Sequence, residues 1–401
     1  MRRASAILAV LLLGASWAAG CDAADLVIDG RDGELIDGGS YDRLVIRNSS
    51  GITVRNARFA IATTGAVVSV RDSHDIVVEN SDIDGGGEAC EGVSITDSYD
   101  VRIVGNLVHD IADDGFEIGG SSGLWIEGNT VYRLIAKGTD GRIPGPCFNG
   151  HSDGIELARV SSSTFTGNLI FDVRSTAAVF LSNDASGPSQ YCRDLVFTNN
   201  VFVTPESGFT MYAFQTAGLA IHNNVIWKGS AGGLAIGEAV TDLDVTNNVL
   251  HSINYGHSDA PYLPAEHRYR HNRVADVAGW NDTPAIFGDE RGNSIGQPDF
   301  TGAPNLDGFG NDPSAWRQIG ADPLRFALED FTPGEGSALL DGGDDATAPV
   351  RDALGTARPQ GLRADVGAVE RAPEPAGVLL VGAAFAALGL QARARRAPAR
   401  R

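Results

Sequence analysis

An asparagine returns about every 24 residues through the middle of this 401-residue chain. It closes the phrases Val54-Arg55-Asn56, Val78-Glu79-Asn80, Val104-Gly105-Asn106, Glu127-Gly128-Asn129, Thr166-Gly167-Asn168, Thr198-Asn199-Asn200, His222-Asn223-Asn224 and Thr246-Asn247-Asn248, with Arg270-His271-Asn272 as the last. A fixed period in this range marks a solenoid, in which one structural unit is stacked many times. Between the asparagines, short runs alternate apolar and polar residues, as in Leu124-Trp125-Ile126 and Thr130-Val131-Tyr132. Alternation is the signature of half-buried strands. Gly, Asn and Ser separate the runs, and no helical period persists over three turns outside the two termini. The expected fold class is therefore all-β, a solenoid of parallel strands. Stacking brings the same position of every coil into one ladder. The asparagines in such a ladder bond to those above and below and satisfy buried amides.

Two coils are long. From Asn129 to Asn168 the gap is 39 residues, and from Asn168 to Asn200 it is 32. The excess is polar and rich in Gly and Pro, at 136–150 and 182–193. Solenoid insertions leave as loops, often beside the binding face. After Asn272 the repeat fades into an irregular stretch.

The coils resemble the right-handed parallel β-helix of the pectate-lyase-like superfamily, and the ends add two further resemblances. The segment Leu339-Leu340-Asp341-Gly342-Gly343, then Gly355-Thr356-Ala357-Arg358-Pro359 and Asp365-Val366-Gly367-Ala368-Val369-Glu370, resembles the closing part of surface β-helix proteins of the choice-of-anchor Q type. Pro373-Glu374-Pro375, an apolar run to Leu390 and an Arg-rich tail resemble the PEP-CTERM sorting signal of Gram-negative bacteria. That resemblance implies a partner, an exosortase-type membrane protease. It also implies membrane contact through the C-terminal helix before processing, and a final place at the cell surface or in the extracellular matrix. At the other end, residues 1–24 read as an export signal, with Arg2-Arg3, an apolar core and small residues. Ala18-Ala19-Gly20-Cys21 leaves lipoprotein processing open beside ordinary cleavage after Ala18 or Ala23. The expected organisation is 1–24 signal, 25–274 β-helix, 275–371 cap for the last coil, and 372–401 sorting signal.

Function is sought in a second repeat. Asp114-Gly115-Phe116-Glu117-Ile118 and Asp153-Gly154-Ile155-Glu156-Leu157 are two copies of one phrase, and Glu91-Gly92-Val93-Ser94-Ile95 is a weaker third. Aligned by their glycines, Glu91, Asp114 and Asp153 share one position, and Glu117 and Glu156 another. With the apolar residues pointing inward, the two glutamates point out. Stacked strands lie ~4.8 Å apart. Carboxylates at that spacing repel, so one holds a proton or a cation lies between them. Asp110 and Asp113 add charge on the same coil. Two readings follow: a site on the outer face, or a solvated acidic face in which Asp-Gly serves only the turn.

Gly150-His151-Ser152-Asp153-Gly154-Ile155-Glu156 resembles a His-x-Asp-Gly-Ile-Gln phrase of pectate-lyase-like proteins, with Glu156 in place of Gln. The candidate catalytic residues are Asp113, Asp114, His151 and Asp153, with His151 as a base or as a bend residue. Candidate substrate-binding residues are Glu91, Glu117, Glu156, Arg133 and Arg174. Asp114, Asp153, Glu117 and Glu156 are candidate Ca2+ ligands. His109 aligns with Tyr132 and Phe171 in a side-chain stack. The expected partner is a polysaccharide, cleaved by a lyase or a hydrolase acting on acidic sugars. A non-catalytic carbohydrate-binding or structural matrix component is the alternative. A formal charge of −20 argues against nucleic acid. In an oxidising compartment Cys90 pairs with Cys147, or Cys147 with Cys192.

Overall fold

The structure is a computed structural model that describes residues 24–61, 63–134, 147, 152–181, 187–204, 208–227, 232–237, 239–255, 267–275, 291–302 and 327–372. The segment up to residue 23, expected to be an export signal, His151 and the tail from Pro373 lie outside the described residues. Among the described residues no helix is long and apolar enough to cross a membrane.

Among the described residues, three parallel sheets of ten, ten and eleven strands run side by side along the repeat. Each coil gives one strand to each sheet, as in Glu91–Thr96, Tyr99–Val104 and Leu107–Ile111. The architecture is a right-handed parallel β-helix. Every strand turns alternate residues into a common interior. One inward column of the first sheet is Val93, Phe116, Ile155, Val179, Met211 and Leu234, each paired with the next. All six are buried in one continuous core.

The asparagine ladder forms at the turn between the second and third sheets. It starts at Asn106 and runs through Asn129, Asn168, Asn200, Asn224, Asn248 and Asn272 to Asn293. From Asn129 on, each Oδ1 accepts the backbone N–H and the Nδ2–H of the asparagine one coil earlier, at 2.8–3.1 Å. Asn56 and Asn80, expected to be its first members, are not in it. They occupy the preceding turn position at φ +54° and +50°, where asparagine tolerates the left-handed region. Ala57 and Ser81 hold the ladder place in those coils, and Ala57 N–H donates to Ser81 Oγ. A second ladder, of serines, lines the turn between the first and second sheets. Ser49, Ser73 and Ser98 each donate N–H to the Oγ of the next serine, ending at Ser121.

The outer face of the third sheet changes along the axis. Its early strands carry Arg58, Asp82, Asp84 and His109. Its later strands, Leu169–Phe171, Val201–Val203 and Val225–Trp227, are apolar on both faces. Continuous apolar strands need cover on both sides. The cover here is the C-terminal segment 327–372. Its Phe331, Leu339, Val366, Ala368 and Val369 pack on Leu169, Phe171, Val201, Val203, Val225 and Trp227. Asn199, Asn223 and Asn247 each donate Nδ2–H to this segment, at the carbonyls of Arg351, Asp365 and Asp344. Arg358, its side chain only 1% exposed, bonds the carbonyls of Asp365 and Gly367 and faces Glu370 at 3.5 Å. The segment expected to shield the last coil is therefore laid as a strap along the side of the solenoid.

Candidate active site

The glycine of the acidic phrase has a steric cause. A Cβ on Gly115 would lie 2.6 Å from the carbonyl oxygen of Gly154 and 2.7 Å from Val131 Cγ1. On Gly154 it would lie 2.5 Å from the Ala178 carbonyl oxygen and 2.6 Å from Ile170 Cγ2. Neither residue has positive φ, so close packing of the coils, rather than turn conformation, requires glycine here.

That packing sets the acids in two columns. Glu91 pairs with Asp114, and Asp153 follows in the same register. Beside it runs the outward column Ser69, Ser94, Glu117, Glu156, Phe180, Tyr212. The register is the one that the glycine alignment expects. Asp153 N–H donates to Asp114 Oδ1 at 2.7 Å, and Ser152 Oγ donates to the Asp113 carbonyl at 2.7 Å. Asp114 is 3% exposed and Asp153 fully buried, whereas Glu91 and Glu156 are half-buried and Glu117 exposed.

Burial penalises charge on the inner column. It pushes Glu91 up to about 7, with help from the Glu117 charge. It also raises Asp114 well above its ordinary value, with Asp153, Asp113 and Glu156 adding repulsion. Oxygens of Asp114, Asp153 and Glu156 lie within 4.8 Å of one another. An all-oxygen set of three carboxylates suits a hard cation such as Ca2+, whose charge would relieve the repulsion among them. Glu117 pairs with Glu156 but is not in that cluster.

A disulfide joins Cys90 to Cys147. It ties the long loop to the residue just before Glu91. Cys192 is a buried free thiol, which excludes the Cys147–Cys192 alternative.

The expected cations stand elsewhere. Arg133 bonds Asp110 and lies over the Tyr132 ring, 4.9 Å from its centroid. Arg174 holds Asp172 through Nε and Nη2, at 3.0 and 3.2 Å. Asp110 does not join the first-sheet acids either. Its Oδ2 accepts from His109 Nδ1 at 2.6 Å, while His109 Nε2 meets Asp82 at 2.8 Å. His109 does stack on Tyr132, and Tyr132 on Phe171, at centroid distances of 5.2 and 5.4 Å. Arg58 completes this third-sheet network through Asp82 and Asp84. Asp82, Asp84 and Asp110 balance Arg58, His109 and Arg133. The signal in the sequence was the outward position of Asp82, Asp84 and His109 on adjacent strands.

The His109 network has a pH consequence. Burial opposes the imidazolium, yet the bonds to Asp110 and Asp82 overcome it and lift the pKa to about 9. An unfolded histidine titrates near ~6.5. A raised folded value stabilises fully below that pH and is lost as pH rises through 9. The urea midpoint should therefore fall between about pH 6.5 and 9. His109→Phe, which keeps the stack on Tyr132, should flatten that slope. An unchanged slope in the variant would place the titration in another group.

Phe180 and Tyr212 were missed as outward neighbours of the acids. Ala178 and Thr210 occupy the glycine position of the phrase in the two coils after Gly154. Carrying the register through those residues would have placed both rings.

No curated protein matches the sequence significantly. Among solved structures, pectate lyase II from Xanthomonas campestris is similar at 13% identity, over 64% of this chain and 74% of that one, with a TM-score of 0.38. A Bacillus pectate lyase in complex with trigalacturonate is 12% identical over 66% and 82%, with a TM-score of 0.31. The surface adhesin PfbA of Streptococcus pneumoniae is 11% identical over 64% and 66%, at 0.34. Likeness at this level concerns the fold alone. The family model described as the right handed beta helix region matches residues 26–139 and 147–250, more than half of the sequence, and the chain belongs to that family.

Proposed function

We propose that this is an exported, surface-sorted protein that binds polysaccharide along the outer face of its first sheet and hydrolyses it there. The observation that carries the reading is the pair of columns: Glu91, raised to about 7 by burial, and Asp114 beside the outward Glu117 and Glu156. Glycoside hydrolysis needs one carboxylic acid and one carboxylate flanking the bond. Half-buried Glu91 is the acid that substrate can reach. Its proton passes to the leaving glycosidic oxygen as the C–O bond breaks. Water adds to the sugar carbon, and Glu117 or Glu156 takes the water's proton. Asp114 holds the next coil by accepting the Asp153 N–H. A Ca2+ ion held by Asp114, Asp153 and Glu156 would supply electrostatic stabilisation of the bound sugar. Elimination beside a uronate, the other chemistry expected from the sequence, needs a cation for the developing enolate. The occupation of Arg133 and Arg174 by Asp110 and Asp172 favours hydrolysis. His151 remains a candidate base in either case. Export, processing by an exosortase-type protease and residence at the cell surface rest on the terminal motifs.

A second reading has its own support. The near-complete burial of Asp114 and Asp153 also fits a non-catalytic carbohydrate-binding component of the matrix. Incubating the mature protein with a broad polysaccharide panel separates the readings. Hydrolysis releases reducing ends without ultraviolet absorbance. Absorbance from unsaturated ends would establish elimination, and retained binding without either signal would establish the matrix role.

A further inference from the structure

We propose that the sugar chain taken by this site is neutral, and that Phe180 and Tyr212 are its stacking platform. The inference rests on the carbohydrate reading above and names the substrate class. The outward column continues without a break from Glu117 and Glu156 to Phe180 and Tyr212. Successive members are one strand spacing apart, ~4.8 Å. A glycan lying along the solenoid axis over the glutamates therefore meets the rings next.

The rings are held by their neighbours. Phe209 stacks on Tyr212 at 5.2 Å, and Phe214 meets it edge-on at 4.0 Å. Phe180 lies 5.8 Å from Tyr212 at a tilt of 45°. Both rings are half-buried, so each keeps part of its surface open. Partly open aromatic faces on rigid strands suit the C–H face of a pyranose, with little ordering cost on binding. On the other side of the glutamates, Ser69 and Ser94 continue the column with hydroxyls. The column thus runs from hydroxyl through carboxylate to aromatic.

Charge decides the class. Glu117 and Glu156 stand outward on this column, one strand spacing apart, where a bound chain would pass over both. Arg133 and Arg174, the cations expected to receive a uronate, are engaged by Asp110 and Asp172. A polyuronate would bring negative charge against negative charge at short range, whereas a neutral glycan carries no such penalty.

The test uses the mature protein in EDTA with two matched sets of soluble polysaccharides, neutral glycans and polyuronates. Binding is read by affinity electrophoresis and cleavage by reducing ends. Neutral glycans should bind and be cut, and polyuronates should do neither. Phe180→Ala and Tyr212→Ala should each weaken binding about tenfold and raise KM with kcat little changed. Phe180→Leu keeps apolar volume, guards against misfolding, and should show the same loss. Trp125→Ala, which removes the exposed ring on the second sheet, should change nothing. Preference for polyuronates in EDTA, or wild-type binding in both ring variants, would overturn the inference and leave the carbohydrate reading standing. Binding of neutral glycan through the rings without cleavage would uphold it and remove only the hydrolysis. Failure to bind any glycan would sink both.

Discussion

Asn200→Ala should destabilise the protein by about 3 kcal/mol, the largest loss expected from any single polar truncation in the coils. Asn200 Oδ1 accepts both the N–H and the Nδ2–H of Asn168, each at 2.9 Å. Its own Nδ2–H groups reach the Phe165 carbonyl at 2.8 Å and Asn224 Oδ1 at 2.9 Å. All these groups are buried. Alanine leaves two donors and a carbonyl without partners, in a place water does not reach. Asn200→Asp keeps the acceptor and loses the donors, so it should cost less near the pKa of the new acid and more once it ionises. Urea denaturation followed by circular dichroism gives the difference. A loss below about 0.5 kcal/mol would show that the ladder is dispensable at this coil.

The second large effect concerns chemistry. Glu91→Gln should cut kcat by about 10² to 10⁴, the usual worth of a positioned general acid. In the wild type, hydrolysis should fall about tenfold per pH unit above about 7, as Glu91 gives up its proton. That limb should vanish in the variant, leaving a low rate without it. Glu117→Gln and Glu156→Gln should each reduce kcat while keeping the alkaline limb. The same shift has a stability side. Glu91 holds its proton to about 7 when folded, whereas an unfolded glutamate loses it near ~4.3. The folded state binds more protons in that window, so stability falls as pH rises through it and stays lower above 7. Glu91→Gln should therefore be less active and more stable at pH 8. A variant that keeps the alkaline limb would assign the proton to another group.

Much of this was legible in the sequence because a solenoid turns spacing into contact. The 24-residue period places residues one coil apart beside each other, so Glu91, Asp114 and Asp153 could be aligned from their glycines alone. The 39-residue gap did not disturb that register, since the insertion leaves between strands. The cysteines were not settled by spacing: Cys90–Cys147 and Cys147–Cys192 stood on equal terms, and the structure forms the first. What was not legible depends on contacts that the period does not govern. Nothing in the spacing says that the strap of 327–372 runs back along Leu169, Val201 and Val225. The continuously apolar runs Val201-Phe202-Val203 and Val225-Ile226-Trp227 were the available hint. Arg133 and Arg174 were near the acids in sequence but emerge on the third-sheet side, where Asp110 and Asp172 hold them. The asparagine alignment slipped at Asn56 and Asn80 because two adjacent turn positions both accept asparagine.

The strap gives the last part of the chain a way to inspect the first. Asn199, Asn223 and Asn247 belong to three successive coils, and each offers its amide to a carbonyl about 100 to 150 residues downstream. Coils can stack one after another as the chain emerges. The strap finds its partners only when those three have closed in register. Until then the outward faces of Val201, Val225 and Trp227 stay bare to proteases and to other chains. Docking of the strap is thus a checkpoint on assembly, and resistance to limited proteolysis should arrive in one late step rather than coil by coil.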